Sequence, residues 1–203
     1  MNRLVPLACA LLLGLFVWPV HADDKSKRSP EELQAMTRIQ QKGGLVLELA
    51  QNDPHLDVSY QQITGKFTDD DLAPLAHLKG VVWLNLSGLN VTDASLSRIK
   101  DLTGLTRLHL EKTKITDQGL ANLKGLVNLE YLNLYGTAVT DKGLANLEGM
   151  KKLKHLYLWQ TKVTDAGVAR LKKALPGVQI VRGFDAEPAK VASKPAPKPA
   201  AKP

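Results

Sequence analysis

From Leu78 to Ala174 the apolar positions return every 24 residues, four times and without an insertion. Aligned from Leu78, Leu102, Leu126 and Met150, the units share one template: L-x-x-L/V-x-x-L-x-L-x-x-x-x-V/I-T-D-x-x-L/V-x-x-L/I. The clearest copy, LVNLEYLNLYGTAVTDKGLANLEG, begins at Leu126. From Glu130 to Leu134 apolar residues alternate with others, which predicts a short strand with Leu132 and Leu134 turned inward. Tyr135 to Ala138 form a turn, and Val139 points back to the core. Thr140 and Asp141 open a short helix whose buried stripe is Leu144 and Leu147, three apart.

A fixed period of this length with L-x-x-L-x-L predicts an α/β, right-handed leucine-rich-repeat solenoid with a parallel concave sheet and short convex helices. One unit cannot bury its own apolar face, and four in register share a continuous core. The strands are expected to be parallel, because each is followed by the same crossover. The four full repeats occupy residues 78–174, and a degenerate first repeat occupies 54–77. There Phe67, Thr68, Asp69, Leu72 and Leu75 keep the phase, but Tyr60 and Gln62 stand where leucines are expected. Residues 23–53 read as an N-terminal helical cap. Ser29 is its N-cap, Pro30 its first position and Glu32 the closing residue of a capping box. Leu33, Met36 and Ile39 give that helix an apolar stripe, Gly43-Gly44 ends it, and Leu45 to Leu49 is a candidate first strand. At the other end, residues 175–185 turn through Leu175-Pro176-Gly177 into a cap strand over Val178 to Val181.

Residues 1–22 have the form of a signal peptide: Arg3, an apolar run from Leu4 to Val17, and a small-residue cleavage site at Val20-His21-Ala22. The mature chain is expected to start at Asp23, to be exported to the periplasm or the exterior of a bacterial cell, and to hold no transmembrane segment. The single cysteine, Cys9, lies in this segment, so disulfides and cysteine-based metal sites are excluded after cleavage. Of the formal charge of +7, only Arg3 is lost with the signal. The tail, residues 186–203, is almost entirely Ala, Pro and Lys, with Lys190, Lys194, Lys198 and Lys202 against Glu187. It has no apolar content to bury and is expected to be extended and disordered. It reads either as a solubilising terminus or as a cationic tether for an anionic envelope polymer.

The V-T-D-x-G-L unit, with Gly43-Gly44, the five Thr-Asp pairs and Leu175-Pro176 followed by Ile180, resembles a group of bacterial secreted leucine-rich-repeat proteins common in planctomycete-like genomes. The resemblance covers about residues 30 to 182 and implies an interaction module. The repeat is also similar to that of F-box-associated leucine-rich proteins that select ubiquitin-ligase substrates. The chain departs from those proteins, since residues 23–77 hold no F-box and a signal peptide leads.

Two constellations carry possible chemistry. The Thr-Asp pairs at 68–69, 92–93, 116–117, 140–141 and 164–165 stack into columns. An acidic column could suggest calcium, but a Thr or Asp oxygen at a helix start caps orphan N–H groups, and capping is the expected role. Thr113, Thr137 and Thr161 are expected to bind loop backbone. The second constellation is the concave face, where three columns are expected: Trp83, Arg107, Tyr131 and His155; Asn85, His109, Asn133 and Tyr157; and Ser87, Glu111, Tyr135 and Trp159. Five of the eight aromatic residues after the signal fall in these columns. Aromatics favour strand positions and cross-strand pairs. Their placement beside Asn, Arg, His and Glu on a preformed curved sheet also fits a surface for a protein, peptide or glycan. Tyr135, Tyr157 and Trp159 are its expected centre.

Catalysis, cofactors and metals find no support in the pattern. No Ser-His-Asp or Cys-His arrangement is present, and no Gly-rich phosphate loop. His109 and His155 lie two repeats apart, roughly 10 Å, too far to share a zinc ion. Nucleic acid is not an expected partner: the basic residues around Lys151 and Lys172 read as a solvated face.

Overall fold

The computed structural model describes residues 28–51 and 53–183. The signal segment 1–22 and the tail 186–203 lie outside the described residues. One sheet of seven strands runs in chain order: β1 (Leu45–Glu48), β2 (Leu56–Ser59), β3 (Val81–Asn85), β4 (Arg107–His109), β5 (Tyr131–Asn133), β6 (His155–Tyr157) and β7 (Gln179–Val181). The 24-residue period sets the register, so that Leu84, Leu108, Leu132, Leu156 and Ile180 fall in one row across β3 to β7. Behind the sheet lie α1 (Pro30–Gln41), α2 (Asp93–Leu96), α3 (Asp117–Leu120), α4 (Asp141–Leu144) and α5 (Asp165–Ala174). The middle three are single turns. After α3 and α4 the chain continues as 3₁₀ turns, Ala121–Leu123 and Ala145–Leu147. The fold is a leucine-rich-repeat solenoid.

The two strand leucines and the two apolar helix residues of each unit meet in one continuous core, with Leu132, Leu134 and Leu147 wholly buried. Thr113, Thr137 and Thr161 each donate a hydroxyl to the carbonyl of the leucine three residues earlier, at 2.6, 2.7 and 2.6 Å. The Leu134 and Leu158 carbonyls also accept the N–H of the same threonine, so each bond gives a hydroxyl its acceptor within the tight turn.

The Thr-Asp columns do more than cap. Thr116 and Thr140 accept from the N–H groups of Gln118 and Lys142, and Thr164 from Gly167, as helix caps do. The aspartates instead reach into the next unit. Asp93 Oδ1 and Oδ2 accept from Thr116 N and Oγ1 at 2.8 and 2.5 Å. Asp117 binds Thr140 at 2.7 and 2.6 Å, and Asp141 binds Thr164 at the same two distances. This forked bond explains the glycine of the template. A β-carbon on Gly119, Gly143 or Gly167 would overlap the carboxylate of Asp93, Asp117 or Asp141. In the unit where Ser95 replaces glycine, the Ser95 hydroxyl donates to Asp69 instead.

The N-terminal end differs from the sequence reading in four respects. β1 pairs with β2 antiparallel, not parallel, because α1 returns the chain before β1 rather than after it. The core positions of the first unit are Leu56, Val58 and Tyr60, with Val58 beside Leu84. Two extra residues therefore lie in the turn after Tyr60, and Gln62 is exposed in that turn rather than in a leucine position. Tyr60 is fully buried, donates its hydroxyl to the Asp71 carbonyl at 3.0 Å and packs edge-on against Phe67. Glu32 does not close a reciprocal capping box. Its N–H donates to Ser29 Oγ, but its own carboxylate accepts from the N–H of Lys79 at 3.1 Å, tying α1 to the first turn of the stack. The buried side of α1 is accordingly Glu32, Ala35 and Ile39, while Leu33 is exposed.

Candidate binding site

The three columns lie side by side on the open face of the sheet. Trp83, Arg107, Tyr131 and His155 are register partners, as are Asn85, His109, Asn133 and Tyr157. The third column sits just past the strand ends, where the backbone ladder continues: Gly88 N binds Glu111 O, Lys112 N binds Tyr135 O and Gly136 N binds Trp159 O, at 2.8, 2.7 and 2.9 Å.

The aromatic rings form two stacks rather than one platform. Tyr135 and Trp159 lie nearly parallel with centroids 5.1 Å apart, and the Lys112 ammonium sits 5.7 Å above the Tyr135 ring. Tyr157 belongs to the second stack. It lies 5.2 Å from Tyr131, which in turn lies 4.8 Å from the His109 ring. Trp83 is apart from both, its ring covered by the Arg107 guanidinium at 4.5 Å. Such stacked contacts suit the ring quadrupole. They cover a ring face on Trp83, Tyr131 and Tyr135, while Trp159 at the end of its stack stays half exposed.

Between the stacks lies a polar knot. Glu111 Oε1 receives His109 Nδ1 at 2.7 Å and Asn133 Nδ2 at 2.6 Å, while Glu111 Oε2 is buried and receives no hydrogen bond. Asn133 Oδ1 accepts from the Tyr135 N–H at 3.0 Å, and its amide also approaches the Tyr131 hydroxyl at 3.4 Å. Burial pushes the Tyr131 phenol up to about 12; the Asn133 amide opposes this and the Glu111 charge adds to it. One carboxylate thus fixes His109 and Asn133, and through them Tyr131 and Tyr135. At the other side Asn85 Oδ1 accepts from both the N–H and the hydroxyl of Ser87, and Gln61 donates to Ser87. His155 stands half-buried at the edge of this array.

The face is wider than the four central strands. Asp57 and Ser59 continue the rows beside Trp83 and Asn85, and Gln179 and Val181 continue them beside His155 and Tyr157. Leu45 and Leu47 on β1 add two exposed apolar side chains. These residues escape a template search because β1, β2 and β7 lie outside the four regular units. Six strand spacings give a width of about 29 Å. Among the described residues no group of three His, Cys, Asp or Glu could hold a metal ion, and no helix is long and apolar enough to cross a membrane.

The Leucine Rich repeat family profile matches residues 102–124, one of the regular units. An internalin of Listeria monocytogenes (inlF) shares 26% identity and a TM-score of 0.50, over 64% of this chain and 35% of that one. The chain therefore spans about a third of that protein's length. A second Listeria internalin, internalin C2, shares 24% identity over 54% of this chain and 66% of its own, with a TM-score of 0.38. The Chaetomium Mex67:Mtr2 structure shares 20% identity over 48% of this chain and 77% of its own, at 0.41. No curated protein sequence matches.

Proposed function

We propose that the protein is a non-catalytic, exported recognition module that binds a protein or peptide on its concave sheet. The observation that carries this reading is the preorganised face: four aromatics held by ring contacts and Trp83 by the Arg107 guanidinium, with His109, Asn133 and Glu111 fixed in a hydrogen-bonded knot among them. Rigid aromatic side chains with adaptable polar neighbours give contact area at low entropic cost. The stacking favours a protein or peptide over a glycan. Sugar rings lie on open aromatic faces, whereas here Trp83, Tyr131 and Tyr135 each have a face covered by a neighbouring side chain. The likeness to an internalin supports a repeat scaffold for interaction. Export rests on the N-terminal segment.

The test is a pull-down from the native cell envelope with the intact protein and a Tyr135→Ala/Trp159→Ala variant in parallel. A partner that the intact protein retains and the variant loses supports the reading. Equal recovery of every captured protein by both would remove the concave face as the site.

A further inference from the structure

The solenoid is electrically lopsided. The turns that lead into the strands stack into one lateral edge, residues 76–82, 100–106, 124–130, 148–154 and 172–178. This edge holds eight lysines against three acids, a formal +5. The turns that follow the strands, residues 63–69, 87–93, 111–117, 135–141 and 159–165, hold four lysines against six acids, a formal −2. Hydrogen bonds between neighbouring turns show that the basic edge is a continuous surface: Asn128 donates to the Thr103 carbonyl, Lys152 to Asn128 and Lys154 to Glu130.

The charge gathers at the C-terminal half of that edge. Lys151, Lys152, Lys154, Lys172 and Lys173 are all exposed. The first three line an open cleft of about 450 Å³, with Leu153, Leu175, Pro176 and Val178 as its apolar lining. Lys151 binds the carbonyls of Glu148 and Ala174, and Lys152 binds the Asn128 amide oxygen. Those acceptors are neutral, so both positive charges remain uncompensated. Among the described residues Lys154 is paired with Glu130, and the other nearby acid, Glu148, pairs with Arg170.

We propose that this edge binds an anionic polysaccharide, independently of the concave face. A linear chain of acidic sugars matches a groove with cations along its rim and C–H surface in its lining. The surface offers point-charge ammonium groups with no guanidinium fork, so its attraction for anions is set by charge and by the shape of the apolar lining. No aromatic ring lines the cleft for a base to stack on, so a nucleic acid would gain charge contacts alone.

The experiment uses the whole chain, its own basic tail included, with alginate as the uronate polymer, dextran as the neutral one, and single-stranded DNA and anionic phospholipid vesicles as other polyanions. Affinity is measured at several salt concentrations for three proteins. These are the wild type, Lys151→Gln/Lys152→Gln/Lys154→Gln on the basic edge, and Lys66→Gln/Lys114→Gln/Lys162→Gln on the opposite edge. The two variants have the same net charge. Alginate binding should weaken with salt and fall tenfold or more in the first variant, since a lysine at an anionic surface contributes about fivefold. The second variant should bind nearly as the wild type. Equal losses in both variants would reduce the effect to net charge and overturn the proposal. So would absence of alginate binding at low salt, or tighter binding of DNA or vesicles than of alginate. If the first variant loses its circular-dichroism spectrum, Lys172→Gln/Lys173→Gln on exposed α5 positions reads the same surface.

Discussion

The helix-start edge and the concave face of this solenoid use one 24-residue period to opposite ends. At the helix starts the units are nearly identical, Thr-Asp-x-Gly in three of them, because Asp93, Asp117 and Asp141 are each locked to the threonine of the next unit and fill the space above its glycine. On the concave face no column repeats a residue throughout: Trp, Arg, Tyr and His share one row. Repetition marks positions whose partner is the neighbouring unit. Variation marks positions facing a partner that is not part of the stack. The contrast predicts that substitutions on the interlocked side change stability, and substitutions on the open side change binding.

The largest effect belongs to the core that both sides share. Leu132→Ala should destabilise by about 2–5 kcal/mol in chemical denaturation, the usual cost of a buried leucine cavity. Gly143→Ala comes next and gives the sharper test. In an ordinary helix that change is favourable by about 0.5–1 kcal/mol. Here the added methyl meets the Asp117 carboxylate, held in place by two bonds to Thr140, and the expected result is a loss of about 1–3 kcal/mol. In an Asp117→Ala background the penalty should vanish, so the cycle should be strongly non-additive. Additive effects would mean that the carboxylate does not dictate the glycine.

Acid should loosen the same interlock. The Thr164 hydroxyl, and after it the Thr164 N–H, hold the Asp141 carboxyl below the usual carboxylate range. A depressed folded pKa gives stability that is complete above the unfolded value, about pH 4, and is lost as pH falls through the lower folded value. The melting temperature should drop across that window, and Asp141→Asn should flatten the drop. An identical acid limb in the variant would take the bond out of the account. The smallest effect is expected on the open side. Trp159 is 46% exposed, and Trp159→Ala should cost far less than Leu132→Ala, with loss of the Tyr135 stack contributing about 0.5–1.5 kcal/mol. A loss as large as that of Leu132→Ala would show that the aromatic columns are part of the fold rather than a surface laid on it.

The same contrast decides what the sequence makes legible. The leucine phase, the strand and helix of each unit, the Thr113, Thr137 and Thr161 turns and the membership of the concave columns all follow from period and alternation. Three features do not. The Asp-to-Thr bond spans 23 residues, and nothing local separates an aspartate that caps its own helix from one that reaches the next. The two added residues after Tyr60 leave the Thr-Asp half of the first unit in phase, so a 24-residue ruler places its strand two positions late. The division of the aromatics into a Tyr135–Trp159 stack and a His109–Tyr131–Tyr157 stack depends on rotamers set by Glu111 and Asn133, which no column order contains.

The interlock also bears on how such a chain can change length. Asp93, Asp117 and Asp141 each engage the unit directly after them through the same three features: a threonine nitrogen, a threonine hydroxyl and the gap above a glycine. A gene duplication or deletion of 24 codons would therefore leave joints chemically indistinguishable from those it replaced. It would widen or narrow the concave face by about 4.8 Å and reshuffle which side chains become neighbours there. At the first strand the parallel array stops, because β1 runs antiparallel to β2. The molecule is thus a reading frame for its own surface: its joints are fixed, its length can change by whole units, and each added unit brings a new set of exposed side chains.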